Sequence, residues 1–269
     1  MAKLSIATYN ITELIMLTAS RTLFWHTRKW FVLNLIKLLD AHIVCLQEDF
    51  PLQMRFLVKH THYASISYAS KDFFNKERGA ILYDQGRFTL LDSGQFSLSA
   101  TPERRSKVAD ARYYQHCTWA KFQEKGAQRA FFVFNAHFPV PISDQSRVVI
   151  ARAMSVHAKH LAQSAPFILC GDLNTWPSPW FYDALGKSFI DTFHLQPKAH
   201  QVEYNTRQEW PARKRKREKE RLDYIFLSPA LKKCFISYKI LRNKVFFKGK
   251  YWPPSDHCPV RVELQLENT

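Results

Sequence analysis

The chain has 269 residues, of which 46% are hydrophobic, and 39 Lys and Arg against 23 Asp and Glu give it a net charge of +16. This apolar content excludes an intrinsically disordered chain, and only 7 Gly and 13 Pro exclude a collagen-like or low-complexity protein. A field of this sign attracts polyanions. The expected partner is therefore nucleic acid or another phosphorylated polyanion, with an anionic membrane surface as the alternative.

The predicted elements alternate between strands and helices in each half of the chain. In the first half we predict a strand at 4–9, a helix at 28–39 and a strand at 43–46. In the second half we predict a strand at 131–134, a helix at 145–163 and a strand at 167–169. Further strands are expected at 79–83, 88–98, 115–122, 222–226 and 260–266. Within the first helix, the spacing favours Trp30, Leu33, Ile36 and Leu38 or Leu39 as the buried stripe.

No Gly/Ser-rich linker separates the two halves, so the sequence predicts one domain over 1–269 with a basic insertion at about 205–221. Five cysteines without CxxC spacing predict reduced thiols, with Cys45 and Cys170 buried in strands. The sequence shows no signal peptide and no run of 18 apolar residues. We expect a cytoplasmic monomer, while secretion by a route without such a signal stays open.

Polar side chains follow the apolar strands at many of their ends. Nine residues share this position: Asn10, Glu48, Asn135, His137, Asp172, Asn174, Asp223, Asp256 and His257. Any one of them has an ordinary explanation as a turn or cap residue. Nine together predict a site, because strand ends that converge concentrate charge that requires a ligand or a metal ion.

The chemistry that suits this set is metal-assisted attack on phosphorus. Mg²⁺ or Mn²⁺ prefers oxygen ligands, which the carboxylates of Glu48 and Asp256 and the carbonyl of Asn10 can supply. Neither a zinc-type histidine spacing nor a cysteine cluster is present in the sequence.

Two further groups have the chemistry of proton transfer and phosphate binding. Asp172 can hold and deprotonate a water that Asn174 positions. His257 can donate to a phosphate oxygen while Asp223 fixes its tautomer.

Six segments stand in an order that is typical of one family of enzymes. They are Ala7-Thr-Tyr-Asn10, Val44-Cys-Leu-Gln-Glu48, Asn135-Ala-His137, Gly171-Asp-Leu-Asn174, Leu222-Asp-Tyr-Ile-Phe226 and Ser255-Asp-His-Cys-Pro259. The sequence thus resembles the endonuclease/exonuclease/phosphatase superfamily of metal-dependent phosphoesterases, and the resemblance covers nearly the whole chain. It implies a four-layer α/β sandwich, with two mixed sheets packed face to face and helices outside.

The resemblance also implies roles for the strand-end residues. Glu48 would be the principal metal ligand with Asn10 and Asp256 nearby, and Asp172 and Asn174 would activate and orient the attacking water. Asp223 and His257 would steady the phosphate. His137 would contact the phosphate or the leaving group. Asn135 belongs to the matched segments and is grouped with the substrate contacts.

A narrower resemblance links residues 92–102 to a bacterial subgroup with a Leu-Ser-x-Thr-Pro stretch. It implies that Glu77 orients His137, the alternative being a solvated loop acid. Arg147 corresponds to a phosphate-binding Arg of many members, the alternative being a surface Arg at a helix start. The sequence departs from the subgroup at two places: Gln115 stands where the subgroup has an Arg, and Phe138-Pro-Val140 follows His137. These departures weaken any inference of the substrate from the subgroup.

Three interpretations of the function and substrate stay open. A nuclease is favoured by the charge, by Trp176, Trp180 and Phe181 as stacking sites, and by the basic run Arg213, Lys214, Arg215, Lys216 and Arg217. Those aromatics can instead be packing residues, and the run can instead be a solvated surface or a targeting signal. The second reading is a phosphatase or phosphodiesterase acting on a phosphoinositide, sphingomyelin or a phosphorylated nucleotide. The third, a non-catalytic binding module, is disfavoured by the intact acids and histidines.

Overall fold

The computed structural model describes residues 2–13, 15–17, 22–68, 77–201, 205–208, 220–247 and 250–266. Its four helices are α1 (Trp25–Leu39), α2 (Pro51–His60), α3 (Asp144–Ala162) and α4 (Pro179–Leu185). The strands of the first half are β1 (Ala2–Asn10), β2 (Ile15–Leu17), β3 (Thr22–Phe24), β4 (Ile43–Gln47), β5 (Ala64–Ile66), β6 (Ile81–Tyr83), β7 (Phe88–Ser97), β8 (His116–Glu124) and β9 (Ala130–His137). Those of the second half are β10 (Phe167–Asp172), β11 (Ile190–Asp191), β12 (Asp223–Leu227), β13 (Phe235–Ile240), β14 (Val245–Phe247), β15 (Lys250–Trp252) and β16 (Val260–Leu266).

Two mixed sheets of six strands each form the centre of the molecule. The first has the order β13-β16-β1-β4-β6-β5, and the second has the order β11-β12-β10-β9-β8-β7. Each sheet contains one parallel pair joined through a helix: β1 and β4 through α1, and β9 and β10 through α3. The repeated strand–helix–strand order predicted from the sequence is confirmed.

The core lies in three layers that follow from the alternation of side chains along each strand. In β4, Ile43 and Cys45 face the opposite sheet, whereas Val44 and Leu46 pack beneath α1 and α2. In the second sheet, Leu169 packs with residues of α3 and α4. Helices therefore cover both outer faces, and the predicted four-layer sandwich is confirmed.

The predicted buried stripe of α1 is partly wrong. Trp30 is 48% exposed and Leu38 is 62% exposed, while the inner face includes Val32, Leu35 and Leu39. At roughly 100° per residue, Trp30 and Leu38 fall outside the buried arc of the helix, whereas the predicted Leu33, Ile36 and Leu39 fall within it. Trp30 instead meets Phe56 of α2 edge-on, with 4.9 Å between ring centroids, at the border between the helices.

The cysteine prediction is confirmed. All five thiols are free, and Cys45 and Cys170 are buried between the two sheets. None of the helices in the described ranges has the length and apolar character needed to span a bilayer.

Gly171 allows a close approach of strands directly before a candidate site residue. It pairs with Ala136 of the neighbouring strand, and a Cβ atom built on Gly171 would lie 1.9 Å from the Ala136 carbonyl oxygen. No side chain fits there without moving the backbone that carries Asp172.

We expect Gly171→Ala to lower the free energy of unfolding by about 1–3 kcal/mol, the range for overpacked interiors. Urea denaturation measures this loss. Gly86→Ala is the control, because its added Cβ would meet only the side-chain Oδ1 of Asp84, at 3.0 Å. Equal midpoints for the two variants would contradict the close-approach argument.

Candidate active site

Strand register brings the predicted residues to one edge of the sandwich. In the second sheet, Asp172 pairs with His137 on one side and with Asp223 on the other. In the first sheet, Asn10 ends β1 opposite Gln47, the residue before Glu48. Because the sheets are packed face to face, these two sets of strand ends meet.

Asn10 connects the two sets directly. Its side-chain Nδ2 donates to Glu48 Oε1 and to Asp172 Oδ2, both at 3.0 Å. Its Oδ1 accepts the backbone N–H of Thr12 at 2.9 Å. A backbone N–H can only donate, so the Asn10 oxygen is fixed toward Thr12. The amide therefore aligns two carboxylates, and because a carbonyl oxygen has a second lone pair, Asn10 stays a predicted metal ligand through Oδ1.

His137 forms a buried pair with Glu77. Its Nδ1 lies 2.8 Å from Glu77 Oε1, and Glu77 is 5% exposed rather than solvated. Burial acts to lower the pKa of His137, but the charge and hydrogen bond of Glu77 outweigh it and raise this pKa to about 10. Burial acts to raise the pKa of Glu77, and His137 lowers it to about 2. The pair is therefore an imidazolium held by a carboxylate at neutral pH.

His257 forms the matching pair with Asp223. Its Nδ1 lies 2.9 Å from Asp223 Oδ2, and both side chains are buried. Burial again opposes the charged ring, but the carboxylates of Asp223 and Asp172 hold the pKa of His257 well above its ordinary value.

Both imidazoles point their other nitrogen at Asp172. His137 Nε2 lies 3.7 Å and His257 Nε2 lies 3.6 Å from Asp172 Oδ2. Two protonated rings that flank one carboxylate offer N–H donors to the oxygens of a bound phosphate. This arrangement suits phosphoryl chemistry, in which negative charge must be stabilised.

Asn174 is placed by a left-handed turn with φ of 44°. Its backbone N–H donates to Asp172 Oδ1 at 3.0 Å, and its side-chain Nδ2 donates to the Phe138 carbonyl at 3.0 Å. The turn therefore fixes the carboxamide next to the Asp172 carboxylate, where the sequence predicted a water-positioning role.

The acids of the first sheet face the same space. Burial raises the pKa of Glu48, and the charges of Asp256 and Glu77 add to this while His137 opposes it. Thr12 Oγ1 donates to Asp256 Oδ1 at 2.6 Å. An acid whose pKa is raised by burial and by neighbouring carboxylates fits a divalent cation, which relieves this repulsion.

A second group in the same centre also fits a cation. One ligand atom each from Asp172, Asp223 and His257 lies within 4.8 Å of the others. Asp223 Oδ1 is buried and makes no hydrogen bond among the described residues. Asp223 Oδ2 already binds His257 Nδ1. The same three residues are therefore equally consistent with an acid–histidine pair beside Asp172.

The predicted substrate contacts fall into three positions. Arg147 donates from Nε to the Asn174 carbonyl at 3.1 Å and lies at the edge of the centre. Asn135 is 1% exposed and uses its amide between the sheets, donating to the Leu46 and Ala80 carbonyls and accepting from Gln47. It therefore holds the sheets together and has no group left for substrate. The five basic residues 213–217 lie outside the described residues.

Three contributors to the centre were missed in the sequence. Arg28 is 2% exposed and donates to the carbonyls of residues 11, 12, 13 and 254, which fixes the two loops that carry Thr12 and Asp256. Arg207 Nη2 lies 3.7 Å from Asp256 Oδ2. A buried Arg in a helix is a weak sequence signal, and neither Thr12 nor Arg207 follows a predicted strand.

A cleft of about 380 Å³ opens beside the centre and is named here the Trp176 cleft. Its walls include Arg147, Asn174, Trp176, Trp180, Arg207 and Leu222. Of the three aromatics predicted as stacking sites, Phe181 is fully buried and is a packing residue.

Comparisons with known proteins agree with this geometry. Residues 7–257 match the Endonuclease/Exonuclease/phosphatase family. No curated protein matches the sequence closely enough to be counted as a relative.

Solved structures resemble the chain over almost its full length. A family protein from Bacteroides thetaiotaomicron is 26% identical, with a TM-score of 0.84 and 98% of each chain covered. A mannosyl-6-phosphatase of the same species is also 26% identical, with a TM-score of 0.82 over 98% of this chain and 100% of that one. D. rerio TDP2 complexed with single strand DNA product is 19% identical, with a TM-score of 0.74 over 98% of this chain and 100% of that one. At this identity the likeness shows the fold alone.

Proposed function

Because the chain belongs to the endonuclease/exonuclease/phosphatase family and is a phosphoester-hydrolysing enzyme, we propose that it is a Mg²⁺- or Mn²⁺-dependent nuclease that cleaves phosphodiesters of DNA or RNA. The observation that carries the proposal is the arrangement around Asp172. Two imidazoles point their Nε2 atoms at this buried carboxylate, and each is held by its own acid, which favours the protonated ring. Their N–H groups suit the non-bridging oxygens of a phosphate, and the net charge of +16 suits a polyanion.

The surroundings of the centre support a diester more than a monoester. The Trp176 cleft reaches it from the β12 side, through Asn174 and Arg207. A second cleft, of about 180 Å³ and lined in part by Arg104, Arg105 and Gln115, lies on the β8 side. Gln115 Nε2 donates to Glu77 Oε2 at 3.1 Å, which links this second cleft to His137. A diester carries a group on each side of the phosphorus, and each group has a cleft to occupy.

The roles of the side chains follow from their contacts. Asp172 accepts the proton of the attacking water, and Asn174 orients that water. His257 and His137 donate from Nε2 to phosphate oxygens, and His137 is placed to protonate the leaving oxygen. Asp223 and Glu77 keep the rings charged and aligned.

A divalent ion fits the oxygens of Glu48 and Asp256, which are both partly buried. Asn10 Nδ2 links Glu48 to Asp172, and Thr12 holds Asp256. When bound, the ion would supply charge neutralisation for the phosphate. Asn10 aligns Glu48 with Asp172 through Nδ2, and the second lone pair of its Oδ1 would complete the ligand set.

A substrate panel tests the proposal. We expect plasmid DNA, single-stranded DNA or RNA to be hydrolysed with Mg²⁺ or Mn²⁺ and not in excess chelator. Inositol phosphates, sphingomyelin and sugar phosphates form the comparison set. Hydrolysis of a member of that set, with no cleavage of any nucleic acid, would replace the nuclease by a phosphatase or lipid phosphodiesterase.

One observation favours a second candidate, a sugar-phosphate phosphatase. The mannosyl-6-phosphatase structure is more similar in sequence than TDP2 is, at 26% against 19% identity. Mannose 6-phosphate is therefore included in the panel, and its hydrolysis at a higher kcat/KM than any oligonucleotide would establish this candidate.

The basic run supplies a separate prediction. If residues 213–217 bind the polyanion, replacing all five with Ser raises KM for nucleic acid and leaves kcat nearly unchanged, because uniform binding is lost. The salt dependence of KM should flatten by about 0.7–0.9 in log–log slope for each phosphate contact removed.

A double variant, Lys232→Ser with Lys233→Ser, is the control for lost positive charge, since both residues are exposed in the 3₁₀ helix Pro229–Cys234. An unchanged KM and salt slope in the five-residue variant would reject the binding role. Arg221, at the end of the same run, is unsuitable for substitution because it forms a buried ion pair with Asp191 at 2.7 Å.

A further inference from the structure

We propose that the Trp176 cleft binds the ring of the group esterified to the scissile phosphate, a nucleoside, with the exposed indole of Trp176 as its stacking surface. This inference rests on the proposed nuclease and names the part of the chain that recognises its substrate. Three observations carry it: the exposure of this indole, the rigidity of the backbone that bears it, and its position in a cleft that adjoins the catalytic turn.

The indole of Trp176 is left without the packing that its neighbours have. Trp176 is 61% exposed and has no ring contact among the described residues, whereas Trp180 meets Phe181 edge-on with 6.1 Å between centroids. Phe181 in turn packs against Tyr224 at 5.6 Å. Packing therefore accounts for Trp180 and Phe181 but not for Trp176. A large aromatic surface left in water beside a catalytic centre is typical of a ligand-binding position.

The backbone that carries Trp176 is fixed before any ligand arrives. Pro177 follows it, and Pro179 begins α4 two residues later. The carbonyl of Thr175 accepts the hydroxyl of Tyr224 at 2.6 Å, and the Thr175 hydroxyl donates to the Leu173 carbonyl at 2.7 Å. Because prolines and buried hydrogen bonds hold the segment, stacking on this indole costs little conformational entropy.

The cleft is continuous with the reacting groups. Asn174, two residues after Asp172, lies in its wall, and Arg147 donates to the Asn174 carbonyl. Arg207 is also in the wall, with its guanidinium 3.7 Å from Asp256. The cleft that adjoins the catalytic centre therefore carries two guanidinium groups, and the ring attached to a phosphate at the centre would enter it toward Trp176.

The size and character of the cleft suit one such ring. Its volume of about 380 Å³ falls at the lower end of pockets that hold small ligands. Val140 and Leu222 give it apolar surface, and Asp144 and Glu220 give it acceptors for the polar edge of a base. A base stacks on an indole through its whole flat face, and the net charge of +16 favours a nucleotide over an uncharged sugar polymer.

Binding measurements with Mn²⁺ present, in an Asp172→Asn background that slows turnover by about 10²–10⁴-fold, test the inference. The probes are adenosine monophosphate, ribose 5-phosphate, mannose 6-phosphate and inorganic phosphate. We expect adenosine monophosphate to bind about 5- to 150-fold more tightly than ribose 5-phosphate, the gain typical of one stacked base. Adding Trp176→Ala should abolish this gain and leave the affinity for inorganic phosphate unchanged, while Trp176→Phe should retain most of the gain.

Trp30→Ala is the matched control, because Trp30 is 48% exposed on α1 and does not line the cleft. Quenching of intrinsic fluorescence by adenosine monophosphate should persist in this control and be lost with Trp176→Ala. Circular dichroism checks that both variants fold.

Three results would overturn the inference. The first is equal affinity for adenosine monophosphate and ribose 5-phosphate, and the second is a gain in affinity that survives Trp176→Ala. The third is a Trp176-dependent gain for mannose 6-phosphate alone, which would assign the cleft to a hexose. The nuclease proposal fails on a different result, the absence of nucleic-acid cleavage by the wild-type chain, so the two failures are distinguishable.

Discussion

Asp172→Asn is expected to lower kcat by about 10²–10⁴-fold, the cost of removing a general base. The substitution keeps the shape of the side chain and its acceptor for the Asn174 N–H, which is 3.0 Å from Oδ1 in the wild type. It removes the negative charge that lies 3.6 and 3.7 Å from the two imidazole Nε2 atoms. Steady-state kinetics on a cleavable oligonucleotide, with KM recorded separately, measures the effect.

Asp92→Asn makes the same chemical change at an exposed position of β7 and is expected to leave kcat unchanged. Thermal unfolding of both variants separates lost catalysis from lost structure. A wild-type kcat for Asp172→Asn would assign the base to another residue.

Glu48→Gln is expected to weaken the binding of Mg²⁺ or Mn²⁺ strongly. Loss of a residue that only supports a metal ligand already costs about 10–100-fold in affinity, and Glu48 is proposed as a ligand itself. The glutamine keeps an acceptor for Asn10 Nδ2, so the alignment with Asp172 has a means to persist. Calorimetric titration with Mn²⁺ gives the affinity, and activity over a range of metal concentrations gives the corresponding shift in rate.

Two comparisons make this result specific. Glu103→Gln, at an exposed acid, should bind the ion as the wild type does. Asp223→Asn examines the alternative group formed by Asp172, Asp223 and His257. If Asp223→Asn loses the ion and Glu48→Gln retains it, the cation belongs to that group.

The fold was predictable because its elements are marked by local patterns. The continuous apolar runs 43–46 and 167–169 indicate strands covered on both faces, and the polar residues that follow, Gln47 and Asp172, indicate strand ends. The buried face of α1 was not predictable in detail. Its inner row includes a charged residue, Arg28, and an apolar residue, Trp30, lies outside it, so hydrophobicity alone misplaces the stripe.

The candidate site divides in the same way. Six short motifs pointed to the residues that meet around Asp172, and even the pairing of Glu77 with His137 agrees with the family resemblance. The orientation of an amide was beyond the sequence, because the N–H that fixes Asn10 Oδ1 comes from Thr12 in the loop after β1. Asn135 was likewise indistinguishable from a substrate contact until its amide was seen between the sheets.

The hydrogen bond from Asn10 to Asp172 joins residues 162 positions apart and belongs to both sheets at once. Asp256 and His257, which complete the centre, come later still along the chain. A ribosome-bound chain that has emerged only as far as α3 therefore carries no assembled phosphoester-cleaving centre, whatever helices and strands it has formed. On the proposed assignment, hydrolytic activity requires that the C-terminal strands have joined both sheets. An incompletely synthesised chain therefore cannot hydrolyse the substrate.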